Sequence, residues 1–93
     1  MSQSQTSPIG IIDSISASGS GQRSAEVLIR LKTGPNDFLS FFLGMPTPDT
    51  SETREKFFKL LCEAYEKMWD AKKVKITSHL YNNDQFIDKI EDA

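Results

Sequence analysis

One segment of the chain, residues 51–71, carries more apolar surface than a single packing partner covers. Apolar residues recur there every three or four positions, which is the spacing of a helix face. They form two stripes: Phe57, Leu61, Ala64 and Met68, and Phe58, Cys62, Tyr65 and Trp69. With Leu60 these stripes span roughly 200° of the helix, about twice what a helix on one sheet needs. We expect the helix to pack on its own sheet and also on a second copy of the chain.

The small size of the chain supports this expectation of self-association. A chain of 93 residues has one small core, and it contains one cysteine, Cys62, and one histidine, His79. An intrachain disulfide and a Cys/His zinc site within one chain are therefore excluded, and no cofactor is predicted. Contact between copies remains as the source of extra buried surface. We predict that interface at Phe58, Cys62, Tyr65 and Trp69, with the Cys62 thiol buried and inert.

The rest of the chain alternates with the period of two that is typical of β-strands. The pattern predicts strands over residues 9–18, 24–33 and 38–43 before the helix, and over 73–81 and 85–90 after it. The third strand is apolar on both faces, so we expect both to be covered. In the fourth strand the predicted inward residues are Val74, Ile76, Ser78 and Leu80, and the outward ones are Lys73, Lys75, Thr77, His79 and Tyr81.

The connections carry the residues that favour turns and caps. Glycines at 19 and 21 predict a loop over residues 18–23, and turn chemistry recurs at residues 33–37 and 82–84. Asp49, Thr50 and Ser51 are the candidate N-caps of the helix, and Asp49 has capping-box spacing to Glu52. Residues 1–8 are polar and have nothing to bury, so we expect a flexible tail followed by one domain over residues 9–93.

The predicted order is β-β-β-α-β-β, a mainly β chain with one long helix. A five-stranded Greek-key barrel with a helix between its third and fourth strands is the OB-fold pattern. The fold class predicted from the order of elements is therefore an OB-fold-like barrel.

Charge and composition exclude several classes of function. The formal net charge is -2, so there is no excess of positive charge for a general nucleic-acid binder. No apolar run reaches the length of a membrane span, and the first residues do not look like a secretion signal. We therefore expect a cytoplasmic protein, or a secreted one if a signal peptide preceded Met1. No nucleophile and base have the spacing of a catalytic pair, so an enzyme is not predicted.

Four stretches of the chain share their order and spacing with a known family. They are Ile12-Asp-Ser14 with the loop after it, Val27-x-Ile29-x-Leu31-Lys-Thr-Gly34, the Asp49-Thr50 helix start, and Tyr81-Asn-Asn83. Together they cover most of residues 12–93. In these stretches the chain resembles the receptor-binding B subunits of the cholera toxin and heat-labile enterotoxin family. The resemblance implies an OB-fold that assembles into a pentameric ring with the helices lining its centre.

The resemblance also implies where a ligand would bind. Those subunits lay a terminal galactose on a tryptophan, and Tyr81 stands at the matching position here. Asn82 and Asn83 match the family's amide pair, Asp84 stands where the family has a lysine, and His79 lies nearby on the outward face. A sugar stacks its C–H face on an aromatic ring while amides bond its hydroxyls. The alternative is that Tyr81-Asn-Asn-Asp84 is an ordinary hairpin turn.

Three functions follow as hypotheses. The first is a ring-forming protein that binds a glycan or another small polar ligand near Tyr81, Asn82, Asn83 and His79. The second is a protein-interaction or scaffold module. The third, single-stranded nucleic-acid binding, would use the outward row of Lys73, Lys75, His79 and Tyr81, in which basic and aromatic groups alternate.

Overall fold

Six strands and a helix make up residues 4–18, 26–44, 50–81 and 83–93, which a computed structural model describes. The strands are β1 (Ser4–Thr6), β2 (Gly10–Ser18), β3 (Glu26–Gly34), β4 (Asp37–Leu43), β5 (Lys73–Tyr81) and β6 (Asp84–Asp92). The helix α1 (Ser51–Trp69) lies between β4 and β5. The predicted strands and helix are thus confirmed to within a few residues at each end. Most of the predicted loop at 18–23 and the candidate cap Asp49 lie outside the described residues.

The strands close into a barrel with OB-fold order. β2, β3 and β4 form an antiparallel meander, and β4 then runs parallel to β6 where Phe42 pairs with Phe86. β5 and β6 form a hairpin, and β5 returns to β2 through the Gly10–Val74 and Ile11–Lys73 pairs. Every strand from β2 to β6 therefore pairs with two others of these five, and the predicted five-stranded OB-fold-like barrel is confirmed.

The N-terminal segment departs from the prediction of a flexible tail over residues 1–8. Ser4–Thr6 forms the edge strand β1, antiparallel to β5, with Ser4 opposite His79. Ser7 continues the contact: its backbone N–H donates to the Ile76 carbonyl at 2.8 Å, and its hydroxyl accepts from the Ile76 N–H at 2.9 Å. The side chains of β1 are exposed, so backbone hydrogen bonds alone hold it. Such pairing leaves no hydrophobic period in the sequence.

The barrel interior follows the predicted alternation in most places. Ile29 and Leu31 of β3, with Val74 and Ile76 of β5, are fully buried. β2 changes face at a bulge between Ile12 and Ser14, which buries Ile12. The bulge turns Asp13 outward, where its carboxylate accepts from the Arg30 guanidinium.

The prediction that both faces of the third strand are covered is wrong for the first half of β4. Phe41 and Leu43 are buried, but Phe38 and Leu39 are exposed. The physical reason is that β4 pairs with β6 only at Phe42, so its first residues extend past the closure of the barrel. Two cations lie over the Phe38 ring, the Arg30 guanidinium at 4.5 Å and Lys32 Nζ at 6.0 Å from its centroid. Leu80, predicted to point inward, is likewise half exposed at the end of β5.

Thr50, one of the three candidate caps, is the N-cap of the helix. Its hydroxyl accepts from the Thr53 N–H at 3.2 Å, and the Thr53 hydroxyl accepts from the Thr50 N–H at 3.0 Å. This is a capping box with threonine in the position usually held by a glutamate or glutamine. Phe57, Leu60 and Ala64 then pack into the core.

The last turn of α1 is tied to the end of β6. Lys67 Nζ lies 2.6 Å from Asp92 Oδ1. The hydrogen bond with Asp92 raises the pKa of Lys67 above its ordinary value and lowers the pKa of Asp92. After Trp69 the chain turns through Ala71, which has a φ of 50°, into β5.

Candidate functional site

The end of the β5–β6 hairpin carries the residues predicted as a ligand site. Tyr81 is the last residue of β5 and pairs with Asp84, the first residue of β6, and Asn83 lies in the turn before β6. Asn83 has a φ of 67°, a left-handed conformation that asparagine adopts more readily than most residues. The predicted turn is confirmed, and Asn83 is exposed at its tip. Asn82 lies outside the described residues.

Phe86 is the centre of a ring cluster that we call the aromatic corner, made of Phe42, His79, Tyr81 and Phe86. The centroid of the Phe86 ring is 5.8 Å from that of Phe42, 6.2 Å from that of His79 and 5.9 Å from that of Tyr81. The hairpin register places His79 opposite Phe86, and the parallel contact with β4 brings Phe42 to the same ring. Three strands therefore hold the aromatic corner together.

Gly44, just after β4, lets the backbone pass close to this cluster. A Cβ atom at this position would lie 3.2 Å from a carbon of the Phe86 ring. A side chain at position 44 would therefore displace the Phe86 ring. The other rings of the aromatic corner, which pack on Phe86, would then lose part of their contact. The aromatic corner depends on this glycine for its close packing.

Tyr81 is the accessible member of the aromatic corner. Its side chain is 61% exposed, and its ring meets Phe86 edge to face at 74°. Phe86 is half-buried and so supports the tyrosine ring from one side while leaving much of it open to solvent. A rigid, exposed aromatic ring of this kind binds apolar faces of ligands at low entropic cost.

His79 is held in a fixed orientation by two contacts. Its ring stacks on Phe86 at 27°, and its Nδ1 lies 2.8 Å from Oδ1 of Asp88. The side chain is consequently half-buried, although the strand pattern predicted an outward residue. Within the described part of the chain Nε2 has no hydrogen-bond partner, so it remains able to contact a ligand.

The structure brings some predicted site residues together and adds others. Tyr81 and His79 both contact Phe86, and Asn83 lies in the turn that follows Tyr81. Phe86, Phe42 and Asp88 were not predicted as site residues. A signal for Phe86 was present, because a two-residue turn at 82–83 pairs residue 79 with residue 86. Phe42 reaches the aromatic corner through the parallel β4–β6 contact, which no local pattern predicts.

The basic and aromatic row on β5 does not form one continuous surface. Lys73 and Lys75 lie at the start of the strand and Tyr81 at its end, about 26 Å from Lys73 and about 20 Å from Lys75 at roughly 3.3 Å per residue. Between them, His79 is bonded to the carboxylate of Asp88. The row therefore lacks the unbroken positive groove with which proteins follow a nucleic-acid backbone.

The predicted interface residues lie on the outer side of α1 and form what we call the helix stripe: Phe58, Cys62, Tyr65 and Trp69. The Trp69 side chain is 74% exposed and that of Phe58 is 58% exposed. The rings of Tyr65 and Trp69 pack together at 5.5 Å, so the stripe is ordered within one chain. Cys62 is exposed, and the prediction of a buried thiol is wrong for the single chain because none of the elements that the structure describes covers this side.

The described residues contain no cluster of three or more histidine, cysteine or acidic side chains arranged to hold a metal ion. None of the described segments includes a helix with the length and hydrophobicity of a membrane span. Comparison with known proteins gives no match to a family model, to a curated protein or to a solved structure. The resemblance to the enterotoxin B subunits therefore stays a prediction, and function has to be argued from the aromatic corner and the helix stripe.

Proposed function

We propose that this chain is a non-enzymatic binding protein that self-associates through the helix stripe and binds a glycan or another small polar ligand at the aromatic corner. The observation that carries the proposal is the exposed ring of Tyr81, supported by Phe86 and followed by Asn83 in the turn. Solvent-exposed aromatic side chains with rigid support and neighbouring polar groups are what a sugar-binding surface requires.

Each part of the aromatic corner has a role in this binding. The face of Tyr81 offers apolar contact to the C–H groups of a pyranose ring. The Asn83 amide offers a donor and an acceptor to hydroxyl groups, and His79 offers Nε2 while Asp88 fixes its ring. The aromatic corner contains no permanently cationic side chain, and the carboxylate of Asp88 lies against His79, which favours a neutral sugar over a sialylated one.

A sugar titration followed by NMR tests this binding. We would titrate the methyl glycosides of galactose, glucose and N-acetylneuraminic acid into the ¹⁵N-labelled chain. A neutral glycoside should shift the amide signals of residues 79–81, 83 and 86 in a saturable manner. Tyr81→Ala should weaken binding roughly tenfold through loss of the stacking surface.

Phe38→Ala is the matched control, since Phe38 is an exposed barrel aromatic outside the aromatic corner. It should leave the affinity unchanged. Absence of saturable shifts with every glycoside, or equal weakening by both variants, would refute binding at Tyr81.

The helix stripe supports the self-association part of the proposal. Two of its four side chains are more than half exposed, and all four lie on one line of the helix. An ordered apolar row of this kind has a large gain in free energy when a complementary surface covers it. Other copies of the chain are always present in a solution of the protein, and each of them can supply such a surface. The resemblance to the enterotoxin B subunits makes a pentameric ring the expected assembly.

Sedimentation analysis tests the assembly. The wild type should sediment as an oligomer of the 10.5 kDa chain, and Phe58→Glu or Trp69→Glu should give a folded monomer. Lys59→Glu is the control, because Lys59 is exposed next to Phe58 but lies off the stripe. A wild type that sediments as a monomer at all concentrations would overturn the ring.

The second candidate function is a scaffold module, and the same helix stripe favours it. In that case the stripe binds another protein, and Tyr81 belongs to an ordinary hairpin. The expected result is a stoichiometric protein partner that is retained by the wild type and Lys59→Glu and lost with Trp69→Glu. If the wild type binds sugar and retains no protein partner, the scaffold function is refuted and only the first function remains.

A further inference from the structure

A cleft of about 290 Å³ opens at one end of the barrel, on the opposite side of the β5–β6 hairpin from Tyr81. It is lined by residues 5–8, residues 39–41, Ser78 and Gln85, and we call it the barrel mouth. The inward row of β5 runs from the fully buried Val74 and Ile76 to Ser78, and then to the half-exposed Leu80. The barrel interior therefore changes from a filled core to an open cleft at Ser78.

The floor of the barrel mouth holds a polar pair in a defined arrangement. Ser78 is only 2% exposed, and it is the one buried polar side chain among the described residues. Its hydroxyl donates to Oε1 of Gln85 at 3.0 Å. This bond occupies the glutamine carbonyl, and within the described residues the Gln85 amide N–H groups have no partner. The pair thus presents amide donors from Gln85 and a hydroxyl acceptor from Ser78.

The walls of the barrel mouth are uncharged and carry both apolar and polar groups. The apolar lining residues are Pro8, Leu39 and Phe41, and the polar ones besides Ser78 and Gln85 are Gln5, Thr6, Ser7 and Ser40. None of the lining side chains is ionisable. A charged ligand would lose hydration without gaining a counter-charge, so the cleft favours a neutral one. Its volume is at the low end of the roughly 300–1,000 Å³ that is usual for ligand pockets, which limits the ligand to a small molecule.

We propose that the barrel mouth binds a small uncharged ligand with a carboxamide-like polar group and a short branched alkyl group. The ligand carbonyl accepts from the Gln85 amide, the ligand N–H or O–H donates to the Ser78 hydroxyl, and the alkyl group packs between Leu39 and Phe41. This site is separate from the aromatic corner and does not depend on sugar binding there.

Isovaleramide and isovalerate form a matched pair of probes, since they share a carbon skeleton and differ in charge. Titrated into the ¹⁵N-labelled full chain, isovaleramide should shift the amide signals of residues 39–41, 78 and 85. An affinity of roughly millimolar is expected for so few atoms. Isovalerate should bind at least about tenfold more weakly because no cation lies in the cleft to pair with it.

Variants separate this site from the aromatic corner. Gln85→Leu removes the amide donors and should weaken isovaleramide binding roughly three- to tenfold, as expected for one lost hydrogen bond. Tyr81→Ala should leave isovaleramide binding unchanged. If Gln85→Leu does not fold, Ser78→Ala removes the acceptor and should also weaken binding.

Three results would overturn the proposal. They are no saturable shift at the barrel mouth, equal affinity for isovalerate, or unchanged affinity in a folded Gln85→Leu or Ser78→Ala variant. None of these results bears on the sugar titration, whose signals come from residues 79–81, 83 and 86.

Discussion

The two apolar faces of α1 are similar in composition and opposite in environment. One face places Phe57, Leu60 and Ala64 in the core, whereas the helix stripe leaves Phe58 and Trp69 more than half exposed. Both follow the same helical period, so periodicity alone does not say which face meets the barrel. The difference shows that an apolar stripe identifies a surface to be covered, while the shape of the partner decides what covers it.

Residue size explains the choice between the faces. Ala64 is completely buried at the centre of the inner face, where its small side chain lets the helix backbone lie close to the barrel. The helix stripe has Tyr65 and Trp69 at the corresponding level, and their packed rings hold any neighbour at a greater distance. The closed barrel requires the close approach that Ala64 allows. The larger rings of the helix stripe are compatible with the proposed contact with a second copy of the chain.

The largest expected effect is on the inner face. Leu60→Ala should lower the free energy of unfolding by about 2–5 kcal/mol, because Leu60 is almost fully buried and the barrel leaves a cavity in its place. Urea unfolding followed by circular dichroism measures the change. Leu61→Ala, at a half-buried position, should cost less. A smaller loss for Leu60 than for Leu61 would show that the inner face is assigned wrongly.

An intermediate effect on stability is expected at the start of the helix. The Thr50 cap stabilises the first turn of α1 and therefore acts on both apolar faces of the helix alike. Thr50→Ala should cost about 1 kcal/mol, since it leaves the Thr53 N–H without its side-chain acceptor. The same unfolding assay measures it, and Thr50→Ser should restore most of the loss by supplying the hydroxyl again. No loss in Thr50→Ala would contradict the capping box.

A smaller effect is expected at the end of the helix, where Lys67 contacts Asp92 of β6. The pKa of Asp92 is lowered by this contact, so its contribution to stability is present above its ordinary pKa of 3.8 and is lost as pH falls through the lowered value. The raised pKa of Lys67 gives a contribution that is lost only in strong alkali, above 10.5.

Unfolding free energies of the wild type and Asp92→Asn, measured at neutral and at acidic pH, test this contact. The wild type should lose more stability on acidification than Asp92→Asn does. Glu55→Gln, at an exposed helix carboxylate, is the control and should follow the wild type. Parallel pH curves for wild type and Asp92→Asn would mean that the contact contributes nothing.

The smallest effect on the stability of the single chain is expected at the helix stripe. In dilute solution, where copies are apart, Trp69→Ala should change the unfolding free energy by no more than about 0.5 kcal/mol, as for other exposed positions. At high concentration the wild type should gain stability and Trp69→Ala should not, because association stabilises the folded chain by mass action. A large loss in dilute solution would mean that the contact of Trp69 with Tyr65 in its own chain contributes much of the stability.

Much of the fold could be predicted from the chain because its main elements have local signals. The alternation of Val27, Ile29 and Leu31, the helical spacing of residues 57–69 and the turn residues at 82–84 each depend on neighbours in sequence. The order of these elements then limited the topology to a small barrel. Part of the candidate site followed in the same way, since Tyr81 and Asn83 adjoin a recognisable turn.

The remaining features depend on contacts between distant residues. β1 is held by backbone bonds to β5, which involve no side-chain pattern. Phe42 meets Phe86 through a parallel pairing of strands separated by the whole helix. The barrel mouth combines residues from four separate segments, and Ser78 had looked like one more inward position in an apolar row. The two residues of such a contact never lie within one short stretch of sequence, so local patterns do not predict it.

The sequence by itself determined the order of strands and helix, the OB-fold-like class and the presence of two apolar stripes on α1, because each depends on the period of residues a few positions apart. Only the tertiary structure decided which stripe the barrel covers, which rings gather around Phe86 and where the interior opens at Ser78. These outcomes depend on barrel closure, which fixes distances between residues far apart in the chain and leaves no trace in local periodicity.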